Sequence, residues 1–339
     1  MRSILFLMFA VAAQAQEAGC DLVKSALRQE EARNALAARQ FTLAVKLLEE
    51  AGTACPSRRS IQLGLAEAQA GAREFDAAIR TAERYLEGDP ESIGGRVFLA
   101  GAYLMARRPK AALAEAERVL ASHPADAAAL KIKGNAAYLT GDTGKAIGAF
   151  IELLDRHPAD EEGAYMLGRI YYQEGRIDLA IGQFERALKV TPGSYKALDN
   201  LGLCFVANGD DEKAMRYFLS AIKLVEKDHP EYEWPYINVA DLLLKKNDAR
   251  RAFDAVSLAV KRNPMSARGF YIGAKALEQL EKPEQSLNWA QRAASLDGDY
   301  SDAWYLLARL YKRLGEEGKA EEARVRFLAA KAKEPAKRK

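Results

Sequence analysis

A chain of 339 residues with 50 Lys and Arg against 47 Asp and Glu, and 49% hydrophobic residues, is not a disordered polyelectrolyte. Its formal charge of +3 also argues against a dedicated nucleic-acid binder. Three cysteines exclude a disulfide-dense scaffold and a four-cysteine zinc site, and three histidines leave little material for metal or acid–base chemistry.

Residues 1–15 stand apart. Arg2 precedes an apolar run from Ile4 to Ala13, and Ala13-Gln14-Ala15 supplies a small-x-small end. That layout predicts a secretory signal peptide, cleaved after Ala15 and too short to span a bilayer. The expected mature chain is exported, to the periplasm or out of the cell, and starts with a lead-in over 16–24. An alternative anchors it as a lipoprotein acylated on Cys20, although Glu17-Ala18-Gly19-Cys20 places a charge where such a motif wants leucine. No later stretch predicts a transmembrane helix.

From there the sequence repeats. Leu167-Gly168, Tyr171, Gly175, Ala180, Phe184 and Ala187 return 34 residues later as Leu201-Gly202, Phe205, Gly209, Ala214, Phe218 and Ala221. The frame extends to repeats at 25–58, 59–92, 93–126, 127–160, 161–194 and 195–228, a four-residue insertion at 229–232, and repeats at 233–266, 267–300 and 301–334. Position 8 is small throughout (Ala32, Ala66, Ala100, Gly134, Gly168, Gly202, Ala240, Ala274, Ala308), and position 20 is Ala except for Ser286. Small residues at fixed offsets let two antiparallel helices approach closely, and Phe150, Phe184 and Phe218 at position 24 fill the space beside them. Pro56, Pro90, Pro124, Pro158, Pro192 and Pro264 at position 32 stop the second helix; Glu226, Gly298 and Ala332 interrupt that column. Gly141-Asp142, Glu174-Gly175, Asn208-Gly209-Asp210 and Asn247-Asp248 suit a helix C-cap followed by an N-cap.

The pattern resembles the tetratricopeptide repeat (TPR). That resemblance implies an all-α, right-handed superhelical solenoid of antiparallel helix pairs, with the first helix of each pair lining a concave side. The ends depart from the consensus: Arg28 and Glu31 replace large apolar groups in repeat 1, and Arg324 replaces the helix B aromatic of repeat 9. Over 331–339 the charges are Lys331, Lys333, Lys337, Arg338 and Lys339 against Glu334, so the basicity sits in the tail, 335–339 at its extremity, and weak contact with anionic surfaces is an open expectation. Cys20 lies just ahead of the first helix of repeat 1 and Cys55 at the end of its second. Antiparallel pairing brings these ends together, and export favours a Cys20–Cys55 disulfide. Cys204, between Leu203 and Phe205, reads as a small buried residue.

No catalytic constellation emerges. His123, His157 and His229 all precede prolines in turns, no HExxH pair exists, and Gly141-Asp142-Thr143-Gly144 follows no strand. The expectation is a non-enzyme with no cofactor and no metal. Strings around His123 and His157 miss the His-Pro-Asp of a J domain. Lys131 and Asn135 match the first helix of a carboxylate clamp, but Met166 stands where the clamp wants Asn and Asn200 where it wants Arg.

The resemblance directs positions 2, 5, 9 and 12 of each first helix into the groove. In repeats 4 and 5 these include Lys131, Asn135, Tyr138, Tyr165, Arg169 and Tyr172. Repeats 6 and 7 contribute Asp199, Trp234 and Asp241, with Asn200 and Asn238 placed nearby by position 6, and repeats 8 and 9 contribute Tyr271, Lys275 and Tyr305. Tyr, Trp and Arg dominate binding hot spots, and carboxamides bond a backbone in both directions. Repeats 1–3 offer Ala26, Leu63, Gly94, Val97 and Gly101 there. The expected function is an exported scaffold that holds a protein or peptide segment in its concave groove for assembly of an envelope complex. The alternative is a glycan-associated factor in polysaccharide assembly or export. A second reading of the aromatics packs them against neighbouring helices.

Overall fold

A computed structural model describes residues 20–56 and 59–333; the expected signal peptide at 1–15 and basic tail at 335–339 lie outside the described residues. Among the described residues there are 18 α-helices and no strand. They divide between two compact units, Met1–Pro158 and Ala159–Lys339. The first unit holds four helix pairs: α1 (Leu22–Ala37) with α2 (Phe41–Ala54), α3 (Arg59–Gly71) with α4 (Phe75–Gly88), α5 (Ile93–Met105) with α6 (Pro109–Ser122), and α7 (Ala127–Leu139) with α8 (Thr143–Arg156). The second holds α9 (Glu161–Gln173) with α10 (Ile177–Val190), α11 (Tyr195–Ala207) with α12 (Asp211–Asp228), α13 (Trp234–Lys245) with α14 (Ala249–Arg262), α15 (Ala267–Gln279) with α16 (Pro283–Leu296), and α17 (Ser301–Arg313) with α18 (Glu317–Lys333).

One turn recurs in every pair. Among the described residues φ is positive at Arg39, Arg73, Arg107, Gly141, Gly175, Gly209, Asn247, Glu281 and Gly315, the same place in each repeat. A left-handed residue just past a helix lets the next N–H reach back to a carbonyl left unpaired in the last turn. Accordingly Asp142 N donates to Ala137 O at 2.9 Å, and Arg176 N to Tyr171 O at 2.9 Å. In three turns the residue after it is aspartate, which caps the following helix: Asp142, Asp210 and Asp248 accept from the backbone N–H groups of Lys145, Lys213 and Arg251. Glycine and asparagine at this position were readable in advance. The three arginines and Glu281 were not, because their side chains carry no local signal for a left-handed backbone.

Within a pair the small column and the aromatic column are two halves of one contact. A Cβ built on Gly134, Gly168 or Gly202 would come within 2.7, 2.8 or 2.3 Å of the rings of Phe150, Phe184 or Phe218, all wholly buried. In the pair α15–α16 this contact moves by one position: Trp289 covers Gly273, with ring atoms 2.3 Å from a hypothetical Cβ. Ser286, the exception at position 20, is buried and its hydroxyl donates to Ala274 O at 2.8 Å, so the polar atom is satisfied in place. Where Glu226 replaces the terminating proline, α12 runs on to Asp228, and the Glu226 carboxylate accepts from Tyr236 OH at 3.1 Å.

The first pair is built differently. Its core is mostly small or aliphatic, with Ala32, Ala35, Ala44, Val45, Leu47 and Leu48 buried. Arg28, out of place in the consensus, bonds Glu31 at 2.5 Å and Glu50 at 2.8 Å on the surface of the pair. Cys20 and Cys55 form the expected disulfide, and Asp21 N donates to Ala54 O at 2.7 Å beside it. Cys204 is free, fully buried, and its thiol is pushed up to about 12 by burial. Among the described residues no helix is long and apolar enough to cross a membrane.

Candidate functional site

In the second unit, the first helices of consecutive pairs share one face, and on it lies an open pocket of about 950 Å³. α9 contributes Glu161, Glu162, Tyr165, Met166, Arg169 and Tyr172, spaced at three and four residues and therefore stacked on one side of the helix. Lys196, Asp199, Asn200 and Leu203 do the same from α11, and Trp234 and Asn238 from α13. Arg268 of α15 and Tyr232, in the segment between α12 and α13, complete the lining.

Asp199 lies at the centre of the polar contacts. It is 3% exposed; Oδ1 accepts from Asn238 Nδ2 at 2.8 Å and Oδ2 from Tyr232 OH at 3.4 Å. Burial pushes its carboxyl up to about 7, against the opposing pull of those two hydrogen bonds. Tyr232 is raised too, first by burial and then by the charge of Asp199. Asn200 Nδ2 donates to Lys196 O at 2.8 Å and lies 3.5 Å from Tyr165 OH. The Arg169 guanidinium sits 5.8 Å from the centre of the Tyr165 ring, and that ring packs at 5.9 Å on Phe184. Burial also raises Tyr165 and Tyr172 above the usual phenol range. Trp234 remains 42% exposed at the rim.

Seven of the sequence-predicted residues line this pocket: Tyr165, Arg169, Tyr172, Asp199, Asn200, Trp234 and Asn238. Asn238 is buried with its amide committed to Asp199, so it braces α13 against α11 rather than facing outward. Asp241, Tyr271 and Lys275 form an adjoining cluster. Asp241 bonds Arg268 at 3.2 Å and Lys275 at 3.5 Å, and Tyr271 packs edge-on against Tyr300. Tyr305 belongs to a separate pocket of about 630 Å³ between α17 and α18, where it touches Phe327. Lys131, Asn135 and Tyr138 stand half-buried on α7 in the first unit. Among the lining residues that sequence reasoning missed is Tyr232. It sits in the insertion and packs against Tyr195, which itself contacts His229. An aromatic inside an insertion flanked by a groove column was the available signal.

The histidines keep to the turns; Nε2 of His157 donates to Ala125 O at 2.7 Å. Among the described residues no group of three or more His, Cys, Asp or Glu is placed to hold a metal ion. The chemistry this face offers is recognition: aromatic surface, an outward carboxamide, and charges of both signs around a buried carboxyl.

Comparison with known proteins agrees with the architecture. One tetratricopeptide repeat model matches residues 30–93, 99–161 and 165–229, more than half of the chain, and a second such model matches 301–323. No curated protein matches the sequence. Among solved structures, the chain is similar to the "APC/C hetero-tetramer Cut9-Hcn1", with 16% identity, 86% of this chain and 56% of that chain covered, and a TM-score of 0.63. It is similar to a tetratricopeptide repeat protein from Parabacteroides merdae ATCC 43184, with 18% identity, 74% and 98% covered, and a TM-score of 0.60. MamA aligns at 25% identity over 50% of this chain and 92% of its own, with a TM-score of 0.45. The repeat models cover more than half of the sequence, in step with its 34-residue period and its glycine–aromatic contacts: the chain belongs to the tetratricopeptide repeat family.

Proposed function

We propose that this chain is an exported, non-catalytic scaffold whose second unit holds a protein or peptide segment on the face bearing the pocket, during assembly of a cell-envelope complex. The observation that carries the reading is the company Trp234 keeps. A tryptophan left 42% in water stands with Tyr165, Tyr172 and Arg169 on the lining of one open pocket. Such side chains expose apolar area together with hydrogen-bonding groups, the combination that concentrates binding energy at protein interfaces. Export is supported by the Cys20–Cys55 disulfide, since a bond of this kind persists in oxidising compartments.

The test replaces two contact residues together. Tyr165→Ala with Arg169→Ala is expected to abolish capture of the native partner by crosslinking in the cell envelope, while the melting temperature changes little. Capture unchanged in a folded double variant would contradict the proposal, as would glycan binding with no protein captured.

A further inference from the structure

Asp199 has a carboxylate's capacity for charge, and no cation among the described residues pairs with it. Among the described residues its partners are two neutral donors, and the Tyr232 contact at 3.4 Å is long for an O–H···O bond, whose usual length is about 2.7–2.8 Å. An ionised carboxyl accepts at about four lone-pair positions, so Asp199, which lines the pocket, retains acceptor capacity beyond its two contacts. Three cations stand nearby, and each is engaged elsewhere. Arg169 lies against the Tyr165 ring and Lys196 against the Tyr195 ring, both at 5.8 Å, while Arg268 bonds Asp241 at 3.2 Å. Glu161 and Glu162 add negative charge at the α9 side of the same pocket. Tyr165, Tyr232 and Trp234 supply aromatic surface around it.

We infer that this pocket receives one cationic side chain, an arginine or lysine of the bound segment, whose head group pairs with Asp199 between the aromatic rings. The inference rests on the scaffold reading above and specifies what that reading leaves open, the chemistry of the bound segment. Buried charges are stable when paired, and a desolvated ammonium or guanidinium gains further from aromatic faces. Ionised Asp199 is held back by burial in the free protein, toward about 7, and an incoming cation would restore the charge that burial removes. An acidic ligand would instead bring a second negative charge against a desolvated carboxyl.

Two probes test this. The first is N-acetyl-arginine methylamide against its neutral citrulline counterpart, followed by the carbon-13 shift of the Asp199 carboxyl. The second is a set of nonapeptide pools, randomised except for a central Arg, Lys, Glu or Ala, measured for retention on the full chain. The arginine amide is expected to move the Asp199 signal and citrulline to leave it. Arg and Lys pools should be retained at least about tenfold better than Glu or Ala pools, the scale of a charge-assisted hydrogen bond. Asp199→Asn should bring the pools to parity. Trp234→Ala, at the exposed rim, provides an independent check should that variant misfold, and should also lower the preference for Arg and Lys. Peptides retained without preference, or with preference for Glu, would overturn the cation site and leave the scaffold reading standing. No peptide retained, with the arginine amide still moving Asp199, would uphold the cation site and remove the peptide partner. Neither probe binding would overturn both.

Discussion

The two compact units share one backbone plan and present different faces. At the positions of repeat 3 that the resemblance directs into a groove, the first unit has Gly94, Val97 and Gly101, and a Cβ added at either glycine would meet nothing within 4 Å. At the matching positions of repeat 5, the second unit has Glu162, Tyr165, Arg169 and Tyr172 around a pocket of about 950 Å³. The turn geometry is common to both, with φ positive at Arg73 and Arg107 as at Gly175 and Gly209. Positions that must be small or aromatic for helices to pack are thus spent on the fold, and function is free to differ only at the remainder. The first unit uses its freedom differently, closing its end with Cys20–Cys55 over a core of alanines and small aliphatics.

The largest expected effect separates the units by stability. Replacing Cys20 and Cys55 together by serine removes a closure between residues 35 apart in sequence, worth roughly 3–4 kcal/mol in the chain-entropy account. Because repeats couple chiefly to their neighbours, hydrogen exchange should accelerate in α1 and α2 and stay unchanged in α9, α11 and α13. Equal acceleration in both places would show that the units do not hold their stability separately.

A smaller effect marks the second unit. The Asp199 carboxyl stands near 7 in the fold against 3.8 in its absence, so the folded state holds this proton more tightly. Its contribution to stability is complete below pH about 4 and is lost as pH rises to about 7, at up to about 1.4 kcal/mol per pH unit. Denaturant titrations of wild type across that range should show this decline, and Asp199→Asn should flatten it. A wild-type profile already flat there would mean that the carboxyl is ionised and better solvated than its burial implies.

The smallest concerns the turns. Glu281 holds a positive φ of 56° where four other repeats use glycine. Glu281→Gly should raise stability by a few tenths to about 1 kcal/mol, since relief of left-handed strain outweighs the added freedom of the unfolded chain. A lower melting temperature would mean that the Glu281 side chain contributes more than its backbone costs.

Most of the fold could be read from period alone, because packing imposes the same demand every 34 residues: Gly168 and Gly202 must be small for Phe184 and Phe218 to lie over them. Trp289 over Gly273 escaped that reading, since a contact displaced by one residue satisfies the same packing without obeying the column. Tyr232 escaped it for the opposite reason, as an insertion has no register from which to infer a direction. Asn238 was read as facing a ligand because column position fixes which way a side chain leaves the helix. It does not reveal that Asp199 on the neighbouring helix takes up its amide. The sequence therefore put seven of these residues on one lining and did not reveal which of them brace a neighbouring helix.

The most direct test of the central claim is site-specific photocrosslinking in the intact cell envelope, with the reactive residue placed at Trp234 in one variant and at Val97 in another. A discrete protein adduct is expected from position 234, mapped to one segment of its partner, and none from position 97. Adducts of equal yield from both positions, or from position 97 alone, would contradict it.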